Sequence, residues 1–182
     1  MDLSFTNLSL SGVLMVRAPR HEDERGAIFR LFSRESFENA GLVVPDSQTS
    51  VSVNRLAGTV RGLHFQRSPF AEYKLVTCVT GAMFDVVVDL RSDSPARGQW
   101  IGLNLVADEN QSVYIPPGCA HGFQALTDDT VVIYHITPSW HPNNEGGIKW
   151  DDPVLGIDWP IAATEVSERD RGLPAFSERA FS

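Results

Sequence analysis

The hydrophobic positions between residues 74 and 137 fall into short segments rich in Val, Ile, Tyr and Phe. These segments read KLVTCVTG, AMFDVVVDLR, QWIGLNLV, QSVYIPPG and TVVIYHIT. The turn-forming pairs between them are Thr80-Gly81, Ser94-Pro95 and Asp128-Asp129. β-Branched and aromatic residues favour strands, and strands at this regular spacing are typical of an antiparallel sandwich or barrel.

Two short helices are expected outside this strand-rich region. Over residues 33–40, SRESFENA, Ser33 is placed to cap a helix and Gly41 to stop it. A second short helix is expected at 167–171, inside a polar and otherwise irregular tail.

No repeat, low-complexity tract or linker divides the chain. Its 182 residues, 42% of them hydrophobic, suffice for one domain with a sizeable core. We therefore expect a single domain over 1–182, with the barrel core at about 45–140 and a C-terminal tail at 160–182.

Charge and targeting signals narrow the function classes. The net charge of -8 argues against a nucleic-acid surface, so an anionic ligand would need a local cluster of Arg and Lys. The N-terminus does not resemble a signal peptide, and no apolar run approaches the ~20 residues of a membrane span. Cys78 and Cys119 have no CxxC spacing and are expected to be buried thiols. We expect a cytoplasmic protein without a membrane partner.

The segment IPPGCAHGF, residues 115–123, is similar to the second signature of the cupins, which are small jelly-roll barrels with a polar internal pocket. Metal-binding cupins also carry an HxH pair on an earlier strand. Here that strand reads His64-Phe65-Gln66, and Gln is a poor ligand for a transition metal. The prediction is an all-β, cupin-type jelly-roll barrel with a few short flanking helices and no metal.

The stretch RGLHFQ, residues 61–66, begins a set of residue types suited to proton transfer. Strand alternation allows His64, Lys74 and Tyr134 to point into one barrel from separate strands. A histidine can take a proton near neutral pH, a lysine can stabilise an oxyanion, and a tyrosine can return a proton. Together they suit a proton shift beside a carbonyl, although each residue also has a purely structural interpretation.

Order, spacing and residue type over nearly the whole chain resemble the dTDP-4-dehydrorhamnose 3,5-epimerase family. The matching segments are TVRGLHFQ, AEYKLVTCVTGAMFDVVVDLR, GQWIGLNL, YIPPGCAHGF, VVIYHIT and the run from EGGIKWDDPVLGIDWP to SERD. The resemblance implies a cofactor-independent, homodimeric enzyme that acts on nucleotide-diphosphate sugars carrying a 4-keto-6-deoxy group.

The resemblance also implies roles for individual residues. His64 would be the general base and Asp170, from the C-terminal tail, would hold its imidazole. Lys74 would stabilise the enolate and Tyr134 would deliver a proton to the opposite face. The positions implied to meet substrate are Arg25, Arg30, Gln48, Ser50, Arg61, His121, Glu145 and Arg169.

Several positions depart from the family pattern. Arg30 stands where an acidic residue is commoner, the segment QTSVSVN differs from the usual Gln-Asp-Asn pattern, and Arg169 replaces a Lys. The sequence therefore specifies the chemistry better than the nucleotide or the sugar. The alternatives are a monoepimerase working at C3 or C5 only, a non-catalytic cupin that binds a sugar nucleotide, and a metal-dependent cupin oxygenase.

Overall fold

The computed structural model describes residues 2–177, whose main elements are two six-stranded sheets. The first sheet runs in spatial order through β1 (Ser4–Asn7), β2 (Leu14–Arg17), β10 (Gln111–Ile115), β7 (Tyr73–Thr80), β12 (Thr130–Thr137) and β5 (Gln48–Asn54). The second runs through β13 (Glu145–Gly147), β6 (Thr59–Gln66), β11 (Cys119–Ala125), β8 (Ala82–Asp89) and β9 (Trp100–Val106), with β14 (Glu165–Val166) parallel to β6. A separate hairpin pairs β3 (Arg20–Asp23) with β4 (Gly26–Phe29).

The main hydrophobic core lies between the two large sheets. The first sheet contributes Val76, Val113 and Val132, and the second contributes Met83, Leu105 and Phe123, all fully buried. Because side chains alternate along a strand, neighbouring residues such as Leu75 point outward and pack in a second cluster. Two sheets closed around one core confirm the prediction of an all-β jelly roll.

Both predicted helices are present. The first, α1 (Arg34–Asn39), begins where the Ser33 hydroxyl accepts a hydrogen bond from the Ser36 N–H at 3.3 Å, and Gly41 follows it with a φ of +68°. The second, α2 (Glu168–Arg171), has Ser167 as its cap. Two 3₁₀ turns occupy Ala107–Glu109 and Pro142–Asn144. Among residues 2–177, no helix is long and apolar enough to cross a membrane.

The C-terminal tail is more ordered than the sequence indicates. Besides α2, the short strand β14 pairs in parallel with β6, with Val166 opposite Val60. This pairing brings the tail alongside the strand that carries His64. The final residues of the tail, 178–182, lie outside the described residues.

Candidate active site

A cavity of about 440 Å³ opens between the two sheets and is closed on one side by the C-terminal tail. Most of the residues predicted for a site line it. The predicted residues on its wall are Ser50, Arg61, His64, Lys74, His121, Tyr134, Glu145, Arg169 and Asp170. Residues on many different elements therefore converge on one space.

A hydrogen bond of 2.7 Å joins His64 Nε2 on β6 to Asp170 Oδ1 on α2. The Asp170 side chain is 6% exposed, and its second oxygen accepts from the Gly62 N–H at 3.2 Å. Its backbone N–H donates to the Ser167 hydroxyl at 3.0 Å, so the cap of α2 also fixes this residue. The Asp170 carboxylate is thus held by His64 on one oxygen and by the Gly62 N–H on the other.

Burial acts to raise the pKa of Asp170, but the hydrogen bond and charge of His64, the Gly62 N–H and Arg169 outweigh it. The net effect holds the pKa below its ordinary value, so the carboxylate is ionised at neutral pH. An ionised carboxylate only accepts hydrogen bonds. Nε2 of His64 therefore carries the hydrogen, and Nδ1 is the nitrogen left to take up a proton.

Glycines bring β6 and β11 unusually close beside this pair. Gly62 has a φ of +129°, and a Cβ added there would lie 2.5 Å from the Gly122 Cα. A side chain at this position would force the strands apart. The register of the two strands, which pairs His64 with His121, also shifts between His121 and Phe123.

The Lys74 ammonium lies on the cavity wall with its side chain 8% exposed. It contacts Glu72 Oε1 at 2.8 Å and donates to the His64 carbonyl at 3.3 Å. Glu72 also lines the cavity and was not predicted from the sequence. The sequence held one signal for Glu72. It lies two residues before Lys74, and residues two apart share a face of a strand.

Tyr134 on β12 packs edge-on against the His121 ring, with centroids 6.0 Å apart. Burial raises the pKa of the Tyr134 phenol, and the negative charge of Asp85 raises it further, whereas Arg61 acts to lower it. The phenol is therefore protonated at neutral pH and well into the alkaline range.

His121 forms a second buried pair with an aspartate. Its Nε2 lies 2.7 Å from Asp85 Oδ1, with the two side chains 4% and 0% exposed. The other carboxylate oxygen of Asp85 is buried without a hydrogen-bond partner among the described residues. Asp85 was not predicted from the sequence, although a charge within the apolar strand MFDVVVD was a signal for it.

The cations at the cavity are closely matched by anions. Arg169 forms an ion pair with Glu145, and this hydrogen bond raises the pKa of Arg169. Arg61 is oriented by its Nε, which donates to Asn54 Oδ1 at 2.7 Å. The charged residues lining the cavity are Arg61, Lys74, Arg169, Glu72, Glu145 and Asp170, with histidines besides. The expected local cluster of cations is present, but carboxylates offset its charge.

Gln48 lies behind the cavity wall rather than on it. Its Nε2 donates to the Ser50 hydroxyl and its Oε1 accepts from the Trp140 N–H, both at 3.1 Å. Both of those partners line the cavity. Trp140 is 47% exposed and was not predicted from the sequence.

Arg25 and Arg30 do not line the cavity of their own chain. Arg25 is at the tip of the β3–β4 hairpin, where its guanidinium binds Asp23 at 2.6 Å. Arg30 follows β4 and is exposed. Within residues 2–177, no group of three or more His, Cys, Asp or Glu side chains is arranged to hold a metal ion.

Comparison with known proteins places this geometry in a family. The family model described as dTDP-4-dehydrorhamnose 3,5-epimerase matches residues 7–178. The chain belongs to this epimerase family. A Sinorhizobium fredii dTDP-4-dehydrorhamnose 3,5-epimerase is 40% identical over 97% of this chain and 91% of its own length. The resemblance identified from the sequence is thereby confirmed.

Solved structures of epimerases share the fold. The Bacillus anthracis dTDP-4-dehydrorhamnose 3,5-epimerase, solved with TDP and PPi bound, has a TM-score of 0.92 at 34% identity and covers 96% of this chain and 99% of its own. ChmJ, a 3'-monoepimerase from Streptomyces bikiniensis solved with dTDP-quinovose, has a TM-score of 0.87 at 35% identity and covers 92% of this chain and 85% of its own. The cupin-type fold is thus shared with double and single epimerases.

Proposed function

We propose that the protein is a cofactor-independent epimerase of a dTDP-linked 4-keto-6-deoxy sugar, inverting C3, C5 or both. The observation that carries this proposal is the convergence of the His64–Asp170 pair, Lys74 and Tyr134 on one cavity. The names of its relatives, dTDP-4-dehydrorhamnose 3,5-epimerases, support the same reaction.

The proposed chemistry begins with removal of a proton next to the C4 carbonyl. The hydrogens on C3 and C5 are acidic because the electron pair left on carbon delocalises onto the carbonyl oxygen as an enolate. His64 takes the proton on Nδ1 and becomes an imidazolium, which the Asp170 carboxylate stabilises through Nε2. Lys74 stabilises the enolate oxygen by charge and hydrogen bonding.

Inversion requires the proton to return from the other face of the ring. Tyr134 gives its phenolic proton to that carbon while the C4 carbonyl reforms. The sugar has then exchanged one proton for another, His64 holds the proton it removed, and Tyr134 is a phenolate. Exchange with solvent restores both residues before a second inversion. The raised pKa of Tyr134 supports its role as the proton donor, since the phenol is protonated before the reaction.

In this proposal, arginine side chains bind the diphosphate of the substrate. Guanidinium groups suit bidentate binding of phosphate, and Arg61 and Arg169 both line the cavity. Ser50, His121 and Glu145, which also line it, are proposed to contact the sugar or nucleotide. Gln48 would act through Ser50, its hydrogen-bond partner.

We infer a homodimer in which one chain supplies Arg25 and Arg30 to the cavity of the other. The β3–β4 hairpin is exposed along nearly its whole length, and an isolated two-stranded hairpin is marginally stable in water. Ile28 on the hairpin and Val51 and Val53 on edge strand β5 are 66%, 60% and 58% exposed. Within residues 2–177 the outer edge of β5 pairs with no other strand, and apolar surface at such an edge favours association.

A second candidate, epimerisation at one carbon only, is favoured by the likeness to the monoepimerase ChmJ. Product analysis separates the two. Incubation with dTDP-4-keto-6-deoxyglucose, followed by chemical reduction and measurement of ring proton couplings by NMR, reports the configuration at C3 and C5 separately. Inversion at both carbons supports the 3,5-epimerase, and inversion at one supports a monoepimerase.

A non-catalytic protein would invert neither carbon yet bind the nucleotide sugar. Calorimetric binding measured alongside the product analysis identifies that outcome, which would contradict the proposed function. Repetition with other nucleotide carriers tests the preference for dTDP, with the Arg30→Glu variant as the comparison. The single-domain organisation over 1–182 and the cytoplasmic location stay predictions.

A further inference from the structure

Glu72 has no role in the chemistry proposed above, yet it lies at the centre of a buried polar network. Its side chain and that of Lys74 are each 8% exposed, and Nζ of Lys74 lies 2.8 Å from Glu72 Oε1. Both residues line the cavity. Carboxylates and ammonium groups are rarely buried to this degree unless they are paired.

The local structure explains why the two side chains meet. Glu72 immediately precedes β7, and Lys74 is the second residue of that strand. Residues i and i+2 share a face, so both point toward the cavity. Tyr73 between them points the other way and stacks on Tyr114, with ring centroids 5.8 Å apart.

A carboxamide fixes the orientation of the Glu72 carboxylate. Gln66 Nε2 donates to Glu72 Oε2 at 2.7 Å and to the Phe70 carbonyl at 3.2 Å. Gln66 Oε1 accepts from the His141 N–H. The carboxamide cannot rotate without losing these bonds, so each Glu72 oxygen has a set partner.

The Lys74 ammonium is therefore held in a fixed direction by its contacts, and its charge is balanced by the Glu72 carboxylate. Lys74 has three N–H donors; within residues 2–177 Nζ donates to the His64 carbonyl at 3.3 Å and forms an ion pair with Glu72 Oε1 at 2.8 Å. At least one donor is left for a ligand in the cavity. The bond to the His64 carbonyl ties the position of Lys74 to the strand that carries His64.

We propose that Glu72 is a positioning residue whose buried carboxylate holds the Lys74 ammonium, charged and aimed, at the cavity wall. The inference rests on the proposed function in giving Lys74 the enolate oxygen as its target. Removing one partner of a buried ion pair leaves an uncompensated charge, and a buried lysine without its counter-ion gives up its proton more readily. Glu72 thus holds the Lys74 ammonium where it can stabilise an oxyanion.

Other titratable or charged side chains line the same cavity as Lys74. They are His64 and Arg61 on β6, His121 on β11, Tyr134 on β12, Glu145 on β13, and Arg169 and Asp170 on α2. The Cys119 thiol on β11 also lies near enough for the Lys74 charge to act to lower its pKa. The Glu72→Gln substitution leaves all of them in place. The variant therefore removes one negative charge at nearly constant shape, and its amide N–H replaces the oxygen that faces either Gln66 Nε2 or Lys74 Nζ.

The test compares Glu72→Gln and Glu72→Asp with wild type and with Glu109→Gln, an exposed control in Ala107–Glu109. For Glu72→Gln we expect kcat to be about 10-fold lower or more than wild type, with KM within about threefold of it. The fall in rate at alkaline pH is expected to begin about 1 pH unit or more lower than in wild type. Glu72→Asp keeps the negative charge, so its fall in rate at alkaline pH is expected to lie between those of Glu72→Gln and wild type. The control is expected to match wild type.

A measurement without substrate makes the test independent of turnover. The Lys74 side-chain amine is followed by NMR during a pH titration of wild type and Glu72→Gln, with assignment by Lys74→Arg. Earlier loss of the proton in Glu72→Gln supports the proposal. An unchanged titration overturns it, including where activity falls equally at all pH values, because such a loss reports only altered packing.

The outcome for wild type separates this inference from the proposed function. If wild type does not epimerise the sugar, the proposed function fails, and the Lys74 titration alone then decides whether Glu72 holds the ammonium. If Glu72→Gln does not fold, the rate profile and the Lys74 titration are both measured on Glu72→Asp instead. Because Asp is one methylene shorter than Glu, a Glu72→Asp variant with kcat, rate profile and Lys74 titration all identical to wild type would overturn the proposed positioning role of Glu72.

Discussion

The Asp170 carboxylate sets both the tautomer and the charge balance of His64 in the proposed mechanism. Its replacement by Asn keeps the size but removes the charge, and an amide N–H facing Nε2 would favour the wrong tautomer. We expect Asp170→Asn to lower kcat by about 10²–10⁴-fold, the range for loss of general acid–base catalysis, with KM changed only a few fold. Steady-state kinetics against Asp108→Asn, an exposed control, checks this. A kcat within about twofold of wild type would contradict the assigned role.

The lowered pKa of Asp170 also predicts how stability depends on pH. A carboxyl whose folded-state pKa is below its unfolded value contributes stability above the ordinary value of 3.8 and loses it as pH falls through the lower folded value. The difference in free energy of unfolding between wild type and Asp170→Asn should therefore shrink as pH is lowered from neutral through this window. Urea unfolding at a series of pH values measures it. A difference that stays constant would show that Asp170 is not preferentially ionised in the folded state.

Individual residues differ in how far the sequence could predict them. Strand alternation and side-chain chemistry allowed His64, Lys74 and Tyr134 to be grouped at one pocket, but only the family resemblance gave each of them a role. Asp170 is 106 residues from His64, so only family resemblance could pair the two. Glu72 and Asp85 were missed because alternation gives the face of a strand but not which buried carboxylate meets which cation or imidazole.

The helix caps offer a test at the scale of elements. Ser167 caps α2 by accepting from the Asp170 N–H, whereas Ser33 caps α1, which packs on the outer face of the first sheet. Replacing either serine with Ala should cost about 1 kcal/mol of stability. Only Ser167→Ala should also lower kcat, because it loosens the helix that carries Asp170. Thermal unfolding and steady-state kinetics on both variants check this, and equal effects on kcat would contradict the assignment.

Strands with regular spacing and a capped helix were predictable because their signals are local. The parallel pairing of β14 with β6 was not, since Val166 and Val60 meet only after the chain has folded. The close approach of Gly62 to Gly122 likewise depends on the register of two distant strands. These non-local contacts determine where the tail meets the barrel, and hence where Asp170 lies.

Acidic proteins can bind an anionic ligand where cations are placed locally, and this chain has a net charge of -8. At the cavity, however, Lys74 and Arg169 are already paired with Glu72 and Glu145. In the proposed homodimer, the hairpin of a second copy would bring Arg30 and Arg25, which is itself paired with Asp23, to this cavity. The sequence could not predict this balance, because it depends on which carboxylates fold against the cations.

Mixing two inactive variants tests the proposed exchange between subunits. Arg25→Ala and His64→Ala each disable a site, but a heterodimer keeps one intact site if Arg25 acts on the partner's cavity. With random exchange, about half of the dimers are heterodimers, and each keeps one of its two sites. About a quarter of wild-type activity should therefore return. Gel filtration with light scattering confirms that dimers are present. Mixtures as inactive as their parents, with exchange verified by mass spectrometry, would contradict a shared site.

The proposed function depends on proton abstraction by His64 beside the C4 carbonyl, and hydrogen exchange measures that step directly. Proton NMR of dTDP-4-keto-6-deoxyglucose in D₂O should show wild type exchanging the C3 or C5 hydrogen, or both, with inversion. His64→Ala should exchange neither above the uncatalysed rate, whereas Tyr134→Phe should retain exchange but lose inversion. Wild-type exchange that persists undiminished in His64→Ala would contradict the account.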